Sequence, residues 1–394
     1  MPEPLVSIVM TNYNNEKYTG RAVQSILDQT YRNWEMIVVD DASTDHSVEI
    51  LRSFSDKRIK LLVNETNSQV SFARNRGYEN AKGEYIATID SDDMWMPEKL
   101  ARQVSFMEGH PDIGACFTWI QLIDGDDRQF KDDALEKIYN IGNKKREEWL
   151  HDLLLNGNCL ADDSSLMRRE ARLEVGENDI SLVQLQDYDM WLRTLSRFDI
   201  YVLEEPLLKY RKTDSGNSIS APGRSTSHRL YFESGWIVGK TLMGMDDTLF
   251  REVFKDELTA PEDTSSEAAK CEKALLLASG RFPGPGAKAY AFMMLSELLA
   301  NAKTAELLRN RFDYGQKKLY QMTGSPIFYD PSVEYEMNRR EIRIKQLEDQ
   351  ITMVNNSRWW KLGAPIRKLK KRRDDQQTSE ALTPDNRRSI DGRN

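Results

Sequence analysis

The sequence predicts an α/β fold: a mostly parallel, twisted sheet flanked by helices, followed by a smaller helical C-terminal region. Three observations lead there. Between residues 5 and 90 short apolar runs alternate with stretches of helical periodicity, the pattern of βαβ crossovers. Polar clusters at 11–15, 40–45 and 90–93 each follow such a run. All three therefore fall along one edge of the sheet, where ligands bind in open α/β folds. After about residue 225 the strand signals stop and helical periodicity takes over at 231–243 and 287–311.

Taken in order, LVSIVM at 5–10 reads as a first buried strand, and Asn15 is placed to cap a helix over 16–29. WEMIVV at 34–39 is a second strand, stopping at Asp40-Asp41. Thr44 or Asp45 then starts a helix that runs to Phe54. A third strand at 59–63 leads to a helix over 68–81 that carries Arg74, and Gly83 precedes the next strand. That strand, YIATI at 85–89, runs into Asp90-Ser91-Asp92-Asp93. Three carboxylates in four residues repel one another unless a cation or hydrogen-bond donors compensate them. Carboxylate oxygens suit Mg²⁺ or Mn²⁺, ions that commonly also hold a phosphate. An ordinary solvated turn accounts for the same residues. There is no glycine-rich dinucleotide or P-loop run, so a bound phosphate must be held by metal and arginine.

Further on, a helix is expected over 97–108 and a strand over 113–122. A charged excursion follows at 124–148, then a helix over 147–155 and a strand end at 166–169. Gln186 opens another helix, with Asp187 in its first turn. A short strand is expected at 200–203, after which 206–211 leads to the polar run from Lys212.

At 394 residues, 39% hydrophobic and 30% charged, the chain has material for two or three domains. The expected division is a nucleotide-binding domain over 1–220, a helical domain over 225–330, an amphipathic and basic segment over 332–373, and a disordered tail over 374–394. No run is long and apolar enough to span a membrane, and the N-terminus lacks the regions of a signal peptide. Cys116, Cys159 and Cys271 match no zinc spacing, so a cytoplasmic protein is expected. The net charge of −8 argues against nucleic acid as a partner. Met337, Ile344, Leu347, Ile351 and Val354 form either a short oligomerisation seam within 332–355 or the inner face of a helix packed on its own domain. Between Ser357 and Arg373 stand eight Lys or Arg and no acid. Trp359, Leu362, Ile366 and Leu369 share one face there, interrupted by Pro365. Tryptophan among basic residues marks a segment that lies on a membrane surface, so peripheral attachment to the cytoplasmic face is expected.

Several stretches together resemble the family 2 glycosyltransferases of the GT-A fold. They are VSIVMTNYN at 6–14, VDDASTD at 39–45, ARNRG at 73–77, AKGEYI at 81–86, IDSDD at 89–93 and QDYDMWLR at 186–193. The resemblance covers roughly residues 4–215, and the tail at 357–367 resembles one found on bacterial surface-polysaccharide members. It implies that Thr11 and Tyr13 line the nucleotide base and ribose, and that Asp41 accepts a hydrogen bond from the base. Arg74 is implied on the diphosphate side and Asp90 at the ribose. Asp92 is implied as the ligand of Mn²⁺ or Mg²⁺, with Asp90 a possible second contact, and Asp93 as a support of the turn. Asp187 is implied as the general base of an inverting transfer from a nucleotide-diphosphate sugar to a glycan or lipid-linked hydroxyl.

This sequence departs from the family in two places: Gln186 stands where Glu often precedes the base, and Lys212-Thr213 stands where many members carry His after Tyr210-Arg211. Asp162-Asp163 reads as a polar turn or a second functional acid pair, and Asp189 and Arg193 as structural partners. The alternative to an enzyme is a non-catalytic scaffold of the same fold that recruits partners through its C-terminal helices.

Overall fold

The computed structural model describes residues 3–212, 224–283 and 286–324, together with 339–340, 342–348 and 350. Its strands are β1 (Val6–Asn12), β2 (Trp34–Asp40), β3 (Ile59–Val63), β4 (Tyr85–Asp90), β5 (Met94–Trp95), β6 (Ile113–Ile123), β7 (Leu166–Arg168) and β8 (Asp199–Arg211). They form one eight-stranded sheet in the order β3-β2-β1-β4-β7-β6-β8-β5. β1 pairs in parallel with both β2 and β4, and β6 with β8; β7 and β5 run antiparallel to their neighbours. The chain winds outward from β1 to β3 and then returns past β1 to β4. That reversal creates the crevice at which doubly wound sheets bind ligands. The register puts Thr11 opposite both Val39 and Asp90, and Asn12 opposite Asp40. The three polar clusters do share one edge.

Helices α1 (Thr19–Leu27), α2 (Ser47–Arg52), α3 (Gln69–Glu79) and α4 (Lys99–Gly109) flank this half. Alternate residues of β1 go to opposite sides, as the strand period of two requires. Val6, Ile8 and Met10 pack with Ala22 and Ile26 of α1, whereas Val9 packs with Ile37, Val39 and Ala73 of α3. Gly77 lets α3 lie tight on the sheet, since a Cβ there would stand 2.4 Å from the Val9 side chain. Burial on both faces explains why these strands read as apolar runs.

The second half contains α5 (Asp133–Tyr139), α6 (Arg146–Asn156), a 3₁₀ turn (Asp162–Ser164), α7 (Arg169–Val175) and α8 (Gln186–Leu195). Beyond it come α9 (Arg224–Gly244), α10 (Asp247–Val253), α11 (Ser266–Ala278), α12 (Gly286–Ala300), α13 (Ala302–Arg311) and α14 (Gln316–Thr323). Phe117 of β6, Trp149 of α6, Trp191 of α8, Ile237 and Leu242 of α9, and Ala291 of α12 belong to one hydrophobic cluster. Secondary structure changes from α/β to all-helical near residue 220, and the core runs across that change. The chain up to Tyr329 forms one compact unit and a second begins at Asp330. Of the second, residues 342–348 are helical with Ile342, Ile344 and Leu347 exposed. The basic segment 357–373, the tail 374–394 and most of 332–355 lie outside the described residues. Among those described, no helix is long and apolar enough to cross a membrane.

Several local expectations are corrected. The short strand expected at 200–203 continues to Arg211 as one strand, β8, whose pairing with β6 slips where Pro206 faces Trp119; a bulge accommodates the missing amide. The helix expected over 287–311 is two, because the Asn301 side chain accepts from the amides of Lys303 and Thr304 and starts α13 anew. Asn15 does not cap α1. Its side chain donates instead to Ser91 Oγ, 2.9 Å away. α2 starts at Ser47, later than Thr44 or Asp45 suggests, and Asp45 accepts from the Ser47 amide.

Candidate active site

An open cleft of about 1560 Å³ lies over the carboxyl ends of β1, β2 and β4. Thr11, Tyr13, Asp41, Arg74, Asp90, Asp92 and Asp187 all line it. The start of α8 and Leu230, Tyr231 and Ser234 of α9 line it as well. The volume exceeds the ~300–1,000 Å³ typical of a single small-ligand pocket, which leaves room for two substrates side by side.

The end beside β1 and β2 is rigid. Asp41 is buried and accepts from Asn64 Nδ2 at 2.6 Å and from the Ser68 amide at 3.0 Å. Asp40 accepts from Asn12 Nδ2 at 2.7 Å and from the Ser43 amide at 2.9 Å. Asn14, Ala42 and Gln69 all have positive φ, at 48°, 64° and 71°. Such backbone strain in three loops of one edge is a mark of functional sites. Against this frame Tyr13 is 49% exposed, leaving a ring face free for stacking.

At the centre, Arg74 is buried and bridges two acids, Asp90 Oδ1 at 2.8 Å and Asp162 Oδ2 at 2.7 Å. Asp162 is thus part of the site wall rather than a solvated turn. Beside it, Asp163 is buried near Asp93; burial first, then the charges of the neighbouring acids, pushes both carboxyls well up. The acidic turn is pinned from below by Arg211. Its Nε donates to the Asp92 carbonyl at 2.6 Å, its amide donates to Asp93 Oδ1 at 2.7 Å, and its guanidinium pairs with Asp127 at 2.6 Å. Asp92 itself lines the cleft. Burial first, then the charge of Asp90, pushes its carboxyl up to about 6.

Asp187 sits in the first turn of α8, lining a small pocket together with Arg74 and Asp162. Asn158 Nδ2 donates to its Oδ2 at 2.8 Å, and the Tyr188 amide to its Oδ1 at 2.8 Å. Asn158 is itself oriented, since its Oδ1 accepts from the Leu160 amide at 3.0 Å. Burial, then the Asp162 charge, pushes the Asp187 carboxyl up to about 7, while Arg74 pulls it down. A carboxyl poised there accepts a proton at neutral pH as few aspartates do. Further along α8, Asp189 pairs with Arg193 at 2.8 Å.

Sequence reasoning placed seven residues in this cleft and missed the work of Arg211, Asn158 and Asp162. The Tyr210-Arg211 pair was visible as a motif, but its target is 119 residues away. Among the described residues no group of three or more His, Cys, Asp or Glu side chains is arranged to hold a metal on its own. The acidic excess around Asp92 fits a divalent ion whose remaining ligands are phosphate and water oxygens.

The family model described as glycosyl transferase family 2 matches residues 7–174. The putative teichuronic acid biosynthesis glycosyltransferase TuaG of Bacillus subtilis is 32% identical over 234 residues, which is 58% of this chain and 87% of that one. The chain belongs to glycosyl transferase family 2. Within the family, the UDP-Glc:alpha-D-GlcNAc-diphosphoundecaprenol beta-1,3-glucosyltransferase WfgD of Escherichia coli is 46% identical over 107 residues, covering 27% of this chain and 42% of that one. The crystal structure of S. aureus TarS 1-349 in complex with UDP-GlcNAc superposes with a TM-score of 0.50 at 17% identity, over 75% of this chain and 92% of that one. The fold is the GT-A fold expected from the sequence, and the protein is a glycosyltransferase.

Proposed function

We propose that this glycosyltransferase moves a sugar from a nucleotide-diphosphate donor to a hydroxyl of a glycan or lipid-linked acceptor in surface polysaccharide synthesis, with inversion. The observation that carries this reading is that the acidic turn lines one cleft with an aspartate whose carboxyl is raised to about 7. The setting in polysaccharide synthesis follows the teichuronic acid role in the name of TuaG and the lipid-diphosphate acceptor in that of WfgD.

The nucleoside lies against Tyr13, with Thr11 and Asp41 toward the base and Asp90 toward the ribose. Arg74 offers positive charge to the diphosphate. Asp92, with Asp90 as a second contact, holds Mn²⁺ or Mg²⁺ with the phosphates. When bound, that ion supplies Lewis-acid compensation for the charge that develops on the leaving diphosphate. Lys212, in place of the family's frequent His, leaves that ion to Asp92, phosphate and water. Asp187 takes the proton of the attacking acceptor hydroxyl, and a single displacement inverts the anomeric centre. Asn158 keeps the carboxylate aimed into the cleft. The basic segment 357–373 holds the enzyme on the cytoplasmic membrane face, and a helix within 332–355 is available for self-association.

A thermal-shift panel of UDP, GDP and their sugar conjugates, with and without Mn²⁺, tests the reading. A metal-dependent rise in melting temperature with one nucleotide class is expected. A flat panel would point to a non-catalytic scaffold.

A further inference from the structure

The base-bearing helix α8 does not cap itself. Its N-cap residue, Leu185, brings no side-chain acceptor, yet the first amides of a helix need one. For the N-cap amide and the two before it, the acceptor comes from another helix. Glu233 of α9 is 2% exposed, and its two carboxylate oxygens accept from the amides of Val183, Gln184 and Leu185, each at 2.9 Å. Seven residues along the same face of α9, Lys240 reaches Asp179 at 3.3 Å and Asp189 of α8 at 3.6 Å. Thus α9 holds α8 at its entrance and again within its first turn. Charge-assisted bonds of this kind are about twice as strong as neutral ones, and three on one carboxylate fix the segment that ends two residues before Asp187.

We propose that Glu233 is a positioning residue. It sets Asp187 in its reactive place by gripping the three amides that lead into α8. The same helix contributes Leu230, Tyr231 and Ser234 to the cleft wall. An acceptor sugar that lies against that wall therefore bears on the element that holds the base, which links acceptor docking to base placement. The inference rests on the reading of Asp187 as the general base. It concerns how that base is held, not which group it is.

The test compares Glu233→Gln, Asp187→Asn and the double variant in the full chain. A glutamine keeps the shape but turns an NH₂ toward amides that need an acceptor. Turnover is read as nucleoside diphosphate released from whichever of UDP-glucose, UDP-GlcNAc or GDP-mannose the wild type consumes. Binding is read with UDP and GDP in Mn²⁺. Hydrogen exchange is followed at residues 183–185.

Glu233→Gln is expected to speed exchange at those amides and to lower kcat by about 10- to 100-fold, the usual cost of losing an orienting partner. The nucleoside diphosphate Kd should stay within about twofold. In the Asp187→Asn background the same change should cost nothing further, because residues that act as a unit are non-additive. An unchanged kcat, or an equal further loss in that background, would overturn the proposal. If Asp187→Asn alone keeps wild-type turnover, the base assignment fails first, a result the single variants separate cleanly. Should Glu233→Gln not accumulate as folded protein, Glu233→Asp, which withdraws the charge by one methylene, is held to the same outcomes.

Discussion

The two walls of the cleft are built in different ways. On the nucleotide side Thr11, Asp41 and Asp90 stand at the ends of adjacent parallel strands, so the sheet itself sets their spacing. On the α8 side Asp187 depends on Asn158, 29 residues away, and on an α8 that α9 anchors from 46 residues downstream of Asp187. The first wall is a property of topology, and the second is assembled by side chains. Damage to the first should therefore appear in binding, and damage to the second in turnover.

The largest effect that sharpens this contrast is expected from Asp187→Asn. Loss of a general base commonly costs about 10²–10⁴-fold, so turnover should collapse to near background while UDP or GDP binding is retained. Weakened nucleotide binding in this variant would break the division between the walls. Arg211→Ala attacks the support beneath the acidic turn. It leaves the Asp92 carbonyl without its donor, while Asp127 keeps only its bond to Arg21; an unmet buried acceptor costs about 1–3 kcal/mol. A clear fall in melting temperature is expected, with loss of the metal-dependent nucleotide shift.

The pH dependence follows from Asp187. Its carboxyl is raised to about 7 by burial and by Asp162, and the ionised form is the reactive one. Accordingly kcat/KM should rise with pH up to about 7 and level above it, falling about tenfold per unit below. Asp162→Asn removes one cause of that shift and should move the limb to lower pH. The smallest effect is expected from Tyr13→Ala. The exposed ring offers stacking worth about 1–3 kcal/mol, so nucleoside diphosphate Kd should rise by about tenfold with kcat nearly unchanged.

This contrast also explains what was legible in the sequence. Thr11, Asp41 and Asp90 could be placed together because each follows an apolar run, and parallel strands bring such ends to one edge. Asp187 could be placed only through the resemblance of the run 186–193 to family motifs, since nothing in local periodicity points it at Asp92. Glu233, Asn158 and Arg211 were invisible as site residues. Each is an ordinary polar residue whose partner is distant in sequence, and only the fold supplies the partner. The helix break at Asn301 and the bulge at Pro206 were missed for a different reason. The Asn301 cap is a break that helical periodicity does not register, and pairing with β6 carries β8 across the interruption at Pro206.

The central claim is that nucleotide capture and proton removal are separate tasks of two differently built parts of one cleft. The most direct test measures two quantities, nucleoside diphosphate Kd in Mn²⁺ and turnover, on two variants, Asp92→Asn and Asp187→Asn. The account predicts that Asp92→Asn weakens binding about tenfold or more and loses turnover as well. Asp187→Asn should bind as the wild type does and fail to turn over. Equal binding in both variants with wild-type turnover in either would contradict it.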